Sequence, residues 1–392
     1  MLVEKILAQL DRISIHESAL ESGLAQRVLK IVPSEKISLV QEQPGAHHRG
    51  SLSAEQFSAS KRHLYIHPFV GKFFKRCPGA TQKKTLTCCN YYVLNLGAQC
   101  NFNCSYCYLQ SYLNTPVMHA YSNISQAIDE LEEMAREHSH LPYRVGTGEV
   151  IDSLSLDPLT LFSVPLIEFF RKYPRWTLEF KTKSNHVDQF LSVPHAGNVV
   201  VSWSINADEV IRREEHGTAS QVERLQAARK CADRGFQVAF HIDPLVWHPQ
   251  WEVGYSELVD QITQMFKPEE VHVISIGALR FQPEQRHLMR ERFGLTSLVT
   301  QAEMFPSDGG KMRYDFRLRN QMYQHVVNGF KASGQKWKVF FCMETPESWI
   351  SSMEGTPLQV DGLKDFFRPL PKIKSESQQD HSSETQNPGQ RS

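Results

Sequence analysis

The chain has 392 residues, with 43 Lys+Arg against 43 Asp+Glu, so its formal charge is zero and a globally basic coat for nucleic acid is excluded. Hydrophobic residues make up 41% and charged residues 22%, which excludes wholesale disorder and fits a globular chain of two or three domains' length. No apolar run reaches the ~18–20 residues a bilayer-spanning helix needs. The start, Met1-Leu-Val-Glu-Lys-Ile6, lacks the basic-then-apolar pattern of a secretory leader. The expectation is a cytoplasmic protein with no membrane partner.

In chain order, residues 1–85 read as a small α/β unit. Short apolar runs, Arg12–His16 and Lys36–Val40, flank an amphipathic helix over Ser18–Val32, where Ser18 and Glu21 have capping-box spacing. From 86 to about 350, apolar strand-like runs alternate with helical patterns. The runs are Tyr91–Leu96, Tyr143–Val150, Thr177–Lys183, Val199–Ile205, Gln237–Leu245 and Val271–Leu279. The helical patterns are Ser122–Glu137, Asp157–Arg171, Ser220–Arg234 and Ser256–Phe266. Such β-α repeats without hairpin turns predict a parallel sheet, either an open barrel or a doubly wound layer. A last helix near Arg319–Lys331 leads to the apolar run Lys338–Phe341. Residues 369–392 are rich in Ser, Gln and Pro, and a disordered tail is expected there.

Six of the eight cysteines fall between positions 77 and 107. In a cytosolic chain so tight a group points to metal or redox chemistry. The segment Leu96-Gly-Ala-Gln-Cys100-Asn-Phe-Asn-Cys104-Ser-Tyr-Cys107-Tyr-Leu-Gln110 follows the first strand of the repeats and has the pattern C-x3-C-x2-C. Three thiolates on one loop can hold three irons of a cubane cluster and leave the fourth open to an outside molecule. The same thiols would also suit a zinc site completed by a histidine, the nearest downstream being His119, or simple packing. The second strand ends in Arg144-Val-Gly-Thr-Gly-Glu149. Its glycines allow close backbone approach, and its carboxylate can pair with an ammonium. From Gln56 to Ile128 there is no acid, while seven Lys and Arg interleave with aromatics. Such a stretch can bind a phosphate backbone and stack bases, or be a solvated face balanced by acids elsewhere.

The cysteine pattern strongly resembles that of the radical SAM superfamily. Further blocks narrow the likeness: Tyr106-Cys-Tyr-Leu-Gln110, Phe180-Lys-Thr-Lys183-Ser-Asn-His186-Val-Asp188, Ser202-Trp-Ser-Ile-Asn-Ala-Asp208, Gly217-Thr-Ala-Ser220, Asp243-Pro-Leu245 and His248-Pro-Gln-Trp-Glu-Val-Gly-Tyr255. In this order they resemble the spore photoproduct lyase family, over roughly residues 10 to 345. The resemblance implies an α/β fold, a partial (β/α)6 radical SAM barrel with a small N-terminal α/β domain. It implies a [4Fe-4S] cluster on Cys100, Cys104 and Cys107, whose open iron chelates S-adenosyl-L-methionine and, once reduced, cleaves it to a 5′-deoxyadenosyl radical. Gly148, Glu149, Lys183 and Ser204 match positions near S-adenosylmethionine. Tyr106 and Tyr108 match tyrosines near the lesion and the radical-return path. The implied substrate is 5-thyminyl-5,6-dihydrothymine in UV-damaged DNA, and the implied electron source is a flavodoxin or ferredoxin.

Two departures stand out. The position matched to the family's hydrogen-donating cysteine holds Gly146, so the donor falls to Cys342, at the expected end of the last strand, or to Tyr106 or Tyr108. The region of the family's lesion-binding Arg-Tyr pair holds Ser307-Asp-Gly-Gly-Lys311, with Arg313-Tyr314 following it. The alternatives are the same radical chemistry on a different substrate, or a non-catalytic Fe-S or zinc protein that binds nucleic acid.

Overall fold

The computed structural model describes residues 2–48, 51–77, 87, 89, 91–113, 115–353, 355–360 and 363–367. The tail expected at 369–392 lies outside the described residues. No helix among the described residues is long and apolar enough to cross a membrane.

The runs rich in β-branched and aromatic residues form one large sheet. Its order is Phe74–Arg76, Tyr92–Leu94, Arg144–Gly146, Thr177–Thr182, Val199–Ser204, Gln237–Leu245, Val271–Ala278 and Val339–Phe341. From Tyr92–Leu94 onward all pairs are parallel. The first strand, Phe74–Arg76, runs antiparallel at the margin. Spatial order follows chain order without reversal. That selects a singly wound partial barrel over a doubly wound layer, whose order reverses at a switch point. The run near Lys338–Phe341 joins as a seventh parallel strand. Among the described residues one antiparallel bridge, Thr87 to Glu344, joins the two margins, with the Thr87 N–H 3.1 Å from the Glu344 carbonyl.

Residues two apart share a strand face, so each strand divides its side chains between lumen and helices. Phe240 packs outward on Phe266 at the end of helix Trp251–Met265, with ring centres 5.1 Å apart. His241 turns inward and meets Glu179 at 2.8 Å. Burial alone would raise the Glu179 carboxyl, but His241 and Arg144 outweigh it and hold it well below the usual carboxylate range.

The second sheet contains Ile37–Val40, Arg12–His16, His63–His67 and Met118–Tyr121, all parallel, with Gly97–Ala98 antiparallel at one edge. The chain thus leaves the barrel after its first strand, adds a strand to this sheet on each side of the cysteine motif, and returns through helix Ile124–His138. A cut at 85/86 leaves two of this sheet's five strands on its far side. One face carries a hydrogen-bond chain. His67 Nδ1 lies 2.9 Å from the Pro68 carbonyl, His67 Nε2 lies 2.9 Å from His119 Nδ1, and His119 Nε2 lies 2.8 Å from Thr115 Oγ1. The Pro68 carbonyl can only accept, so His67 Nδ1 carries the proton of that bond. Burial, then the His67 neighbour, lowers His119 to about 4.

Helix boundaries differ most from the sequence reading at three places. The N-terminal helix is Gly23–Ile31 with Ser22 as its cap, preceded by a 3-10 turn at Glu17–Ala19. Ser18 cannot cap it, because its hydroxyl and N–H both engage His16 Nδ1, at 2.6 and 3.1 Å. Asp157–Arg171 is two helices, Asp157–Thr160 and Ser163–Arg171, broken at Leu161 by its left-handed φ of 53°. Asp157 then caps the second helix through the Ser163 N–H and hydroxyl, at 2.9 and 2.6 Å. The helix expected at Ser256–Phe266 begins at Trp251. Helices Leu2–Gln9 and Ala54–Ser60 were not anticipated.

Candidate active site

The cysteine loop leaves the barrel at the carboxyl end of its first strand. It begins at Gln99, whose φ is 73°. Cys104 then pairs in a short antiparallel ladder opposite Glu215. Two consecutive acids fasten this loop. Glu214 accepts from the Ser105 hydroxyl, from Ser297 Oγ at 2.6 Å and from the Leu298 N–H at 2.7 Å. Glu215 accepts from the Tyr106 hydroxyl and forms a 2.6 Å ion pair with Arg224. From a third direction Gln285 Nε2 donates to the carbonyls of Tyr106 and Cys107, at 3.2 and 3.1 Å.

The three thiols feel one another electrostatically. Burial pushes Cys100 up to about 12, Asp152 adds to the rise and Lys61 opposes it. Burial also raises Cys104 strongly, against the pull of Lys183. Ligation of a metal would therefore release protons from thiols that rest protonated. Among the described residues, no three His, Cys, Asp or Glu side chains converge tightly enough to chelate a single ion.

Lys183 stands just past the strand Thr177–Thr182, its Nζ 5.6 Å from the centre of the Tyr106 ring. Burial lowers its ammonium, but Glu215 and Cys104 more than offset this and leave its pKa raised. Arg224 donates to the Ser204 carbonyl at 2.8 Å, to the Ala219 carbonyl at 2.9 Å and to Thr218 Oγ1 at 2.7 Å. It thereby ties the end of strand Val199–Ser204 to the acid beneath Tyr106.

The glycine-rich loop stands beside the cysteine loop. A Cβ on Gly148 would lie 3.1 Å from both Lys181 Cβ and Ser153 Oγ, so its bare backbone leaves a narrow cradle. The Glu149 carboxylate already has two partners, Asn95 Nδ2 at 2.9 Å and Lys75 Nζ at 3.1 Å. The Tyr108 hydroxyl, on a side chain 46% exposed, donates to the Glu149 carbonyl and joins the two loops. Asp152 clamps the glycine-rich loop. It accepts from the N–H groups of Leu154 and Ser155 at 3.0 and 2.8 Å, the Thr182 hydroxyl at 2.6 Å and the Lys183 N–H at 2.7 Å.

The fold thus gathers Cys100, Cys104, Cys107, Tyr106, Tyr108, Gly148, Glu149, Lys183 and Ser204 around the carboxyl ends of neighbouring strands. Cys342 stands apart, just past the last strand. Its sulfur lies 3.7 Å from Arg280 Nη2, and Asp243 holds that guanidinium at 3.0 and 3.1 Å. Burial, then Asp243, keeps its thiol up at about 12. A Cβ on Gly146 would lie 1.6 Å from Tyr91 Oη, so a side chain there would require the Tyr91 ring to move. Sequence reasoning missed Asp152, Glu214, Glu215, Arg224 and Gln285. The one available signal was position, since Glu214 and Glu215 immediately precede the Gly217–Ser220 block.

A family model described as spore photoproduct lyase matches residues 17–326. The spore photoproduct lyase of Bacillus subtilis (strain 168) is 29% identical over 215 residues, covering 54% of this chain and 63% of that protein. The same enzyme from a Geobacillus species is 30% identical over 210 residues, covering 53% and 62%. The chain therefore spans a little under two thirds of either relative's length. A solved structure of spore photoproduct lyase complexed with dinucleoside spore photoproduct superposes with a TM-score of 0.73 at 22% identity, over 85% of this chain and 98% of that one. A doubly substituted form with bound AdoMet and the same dinucleoside superposes equally well, at 0.73. At this identity the likeness concerns the fold, and the partial barrel is the architecture shared.

Proposed function

The chain belongs to the spore photoproduct lyase family, and from that premise we propose a radical SAM carbon-carbon lyase that reverses 5-thyminyl-5,6-dihydrothymine in UV-damaged DNA. The observation that carries this reading is the loop bearing Cys100, Cys104 and Cys107 at the carboxyl end of strand Tyr92–Leu94, paired opposite Glu215 and with the Lys183 ammonium over Tyr106. The donor set fits an iron-sulfur cluster, and the Gly148 cradle fits a ligand lying close against backbone. Cys100, Cys104 and Cys107 would hold the [4Fe-4S] cluster, and Gly148, Glu149, Lys183 and Ser204 would receive S-adenosylmethionine. When bound, these cofactors supply a 5′-deoxyadenosyl radical able to take hydrogen from C6 of the dihydrothymine half.

The protein's own residues have separate tasks in this reading. Lys183 balances thiolate charge. Glu215 and Arg224 hold Tyr106 and the loop in register. Tyr108, the most exposed of the group, lies on the side open to a DNA lesion. Cys342 keeps its hydrogen at neutral pH, because burial holds the thiol up at about 12. We assign to this thiol, at the end of the last barrel strand, the return of a hydrogen atom to the thymine radical, leaving a thiyl radical that an electron and a proton restore. A flavodoxin or ferredoxin in the cytoplasm would supply the electrons.

The test is an anaerobic assay of reconstituted protein with dithionite, S-adenosylmethionine and the dinucleotide lesion, with products separated by chromatography. Thymidylyl-thymidine is expected, and Cys342→Ala should divert the radical to side products. A second reading, the same chemistry on another substrate, draws on Gly146, where a thiol would require the Tyr91 ring to move. Formation of 5′-deoxyadenosine with the dinucleotide untouched would favour it.

A further inference from the structure

The N-terminal unit contributes one buried cation to the edge of the cysteine loop. Lys61 caps the carboxyl end of helix Ala54–Ser60 and is only 3% exposed. Its Nζ donates to Gln99 Oε1 at 2.9 Å and stands 4.6 Å from the centre of the Phe57 ring. Gln99, the residue before Cys100, is 1% exposed and is held from its other end by Ser60 Oγ at 3.4 Å. Among the described residues no carboxylate pairs with Lys61, and the sequence carries no acid from Gln56 to Ile128.

This sets Lys61 apart from the other buried cations. Arg224 has Glu215, while Arg313 and Arg319 share Glu344. An ammonium taken out of water without a counter-charge costs several kcal/mol. A helix terminus, an amide oxygen and an aromatic face each offset part of that cost, but none carries a full negative charge. The residue that follows Gln99 is Cys100, the first of the proposed cluster ligands, so the ammonium is fixed at the root of the cysteine loop.

We infer that Lys61 is the built-in counter-ion of the iron-sulfur cluster and that its charge raises the cluster's reduction potential. This rests on the ligand assignment proposed above. An oxidised cubane core of charge 2+ on three thiolates carries a net charge of −1 from the protein's side, and one electron from an external donor makes it −2. A fixed positive charge stabilises the second state more than the first, and in a buried site the effect is weakly screened. A lysine that only packs its stem on Phe57 would leave the potential unmoved.

The experiment compares anaerobically reconstituted wild-type protein with Lys61→Met, Lys61→Arg and Gln99→Glu. Iron and sulfide are counted, and the midpoint potential is followed by electron paramagnetic resonance without substrate. Lys61→Met should disfavour reduction about tenfold, a shift of about 59 mV to more negative potential for one electron. Lys61→Arg should stay near wild type. Gln99→Glu places a carboxylate on the ammonium and should shift the potential in the same direction with the lysine still present. An unchanged potential in Lys61→Met at full iron content overturns the inference. If that variant fails to fold or load, an unchanged potential in Gln99→Glu overturns it instead. Wild-type protein that takes up no iron and sulfide overturns the ligand assignment itself, and the inference with it.

Discussion

The two loops that frame the candidate site are fixed in opposite ways. The cysteine loop is held from outside: Glu214 and Glu215 reach it across 109 residues of sequence, and Gln285 across 179 and 178. The glycine-rich loop is held by its own Asp152, which bonds its own turn and the end of the next strand. The loop carrying thiols thus depends on long-range hydrogen bonds and is set only once the barrel is assembled. The loop carrying bare backbone is set as soon as two neighbouring strands pair.

The contrast can be broken by removing each support in turn. The largest effect is expected from Glu215→Ala, which leaves Arg224 buried without its partner. A loss of about 3–5 kcal/mol in urea unfolding should accompany poor iron uptake. Full iron loading in that variant would show that the ladder alone fixes the thiols.

Acid should weaken the sheet that the cysteine loop leaves and re-enters. His119 stays neutral when folded, with its pKa lowered from 6.5 to about 4, while the unfolded imidazole takes up a proton below ~6.5. The unfolded state binds more protons between those values. Stability is therefore complete above pH ~6.5 and declines as pH falls toward 4, by about 3 kcal/mol at most. Denaturant midpoints measured across this range should fall less steeply in His119→Gln; parallel curves would refute the assignment.

Asp152→Ala should cost less, about 2 kcal/mol, because it leaves buried hydrogen-bond donors rather than a buried charge without a partner. Iron content should persist while S-adenosylmethionine binding, read by calorimetry, weakens at least tenfold. Iron loss equal to that in Glu215→Ala would erase the contrast between the loops. The smallest change is expected from Tyr108→Phe, which removes one hydrogen bond between them, about 1 kcal/mol or less.

The parts of this molecule visible in the sequence are those written locally. Val199–Ser204 and Gln237–Leu245 are apolar runs of strand length, and their expected bounds agree with the observed strands to within a residue. The cysteine spacing is likewise a local pattern. The β-α alternation alone leaves the strand order open between barrel and doubly wound layer, since a run of apolar residues does not name its neighbours; the family resemblance is what points to the partial barrel. Ser18 and Ser22 both offer a capping hydroxyl, and only the position of the His16 ring decides between them. Glu214, Glu215 and Arg224 act across the fold, so their place beside the Gly217–Ser220 block is all that marks them in the sequence. Gly146 is bounded by Tyr91, just before the adjoining strand Tyr92–Leu94, which a linear reading does not bring together.

The bridge between Thr87 and Glu344 carries a consequence for biosynthesis. Glu344 is buried between Arg313 and Arg319 and also supplies the carbonyl that fastens the first margin of the sheet. At ~5–20 residues per second, a ribosome would take roughly 13–50 s to advance from the first of these partners to the second. Through that interval the nascent barrel has an open flank, and the cysteine loop waits for Glu214, Glu215 and then Gln285 to be made. Release of residue 344 from the exit tunnel is then the moment at which the flank can shut.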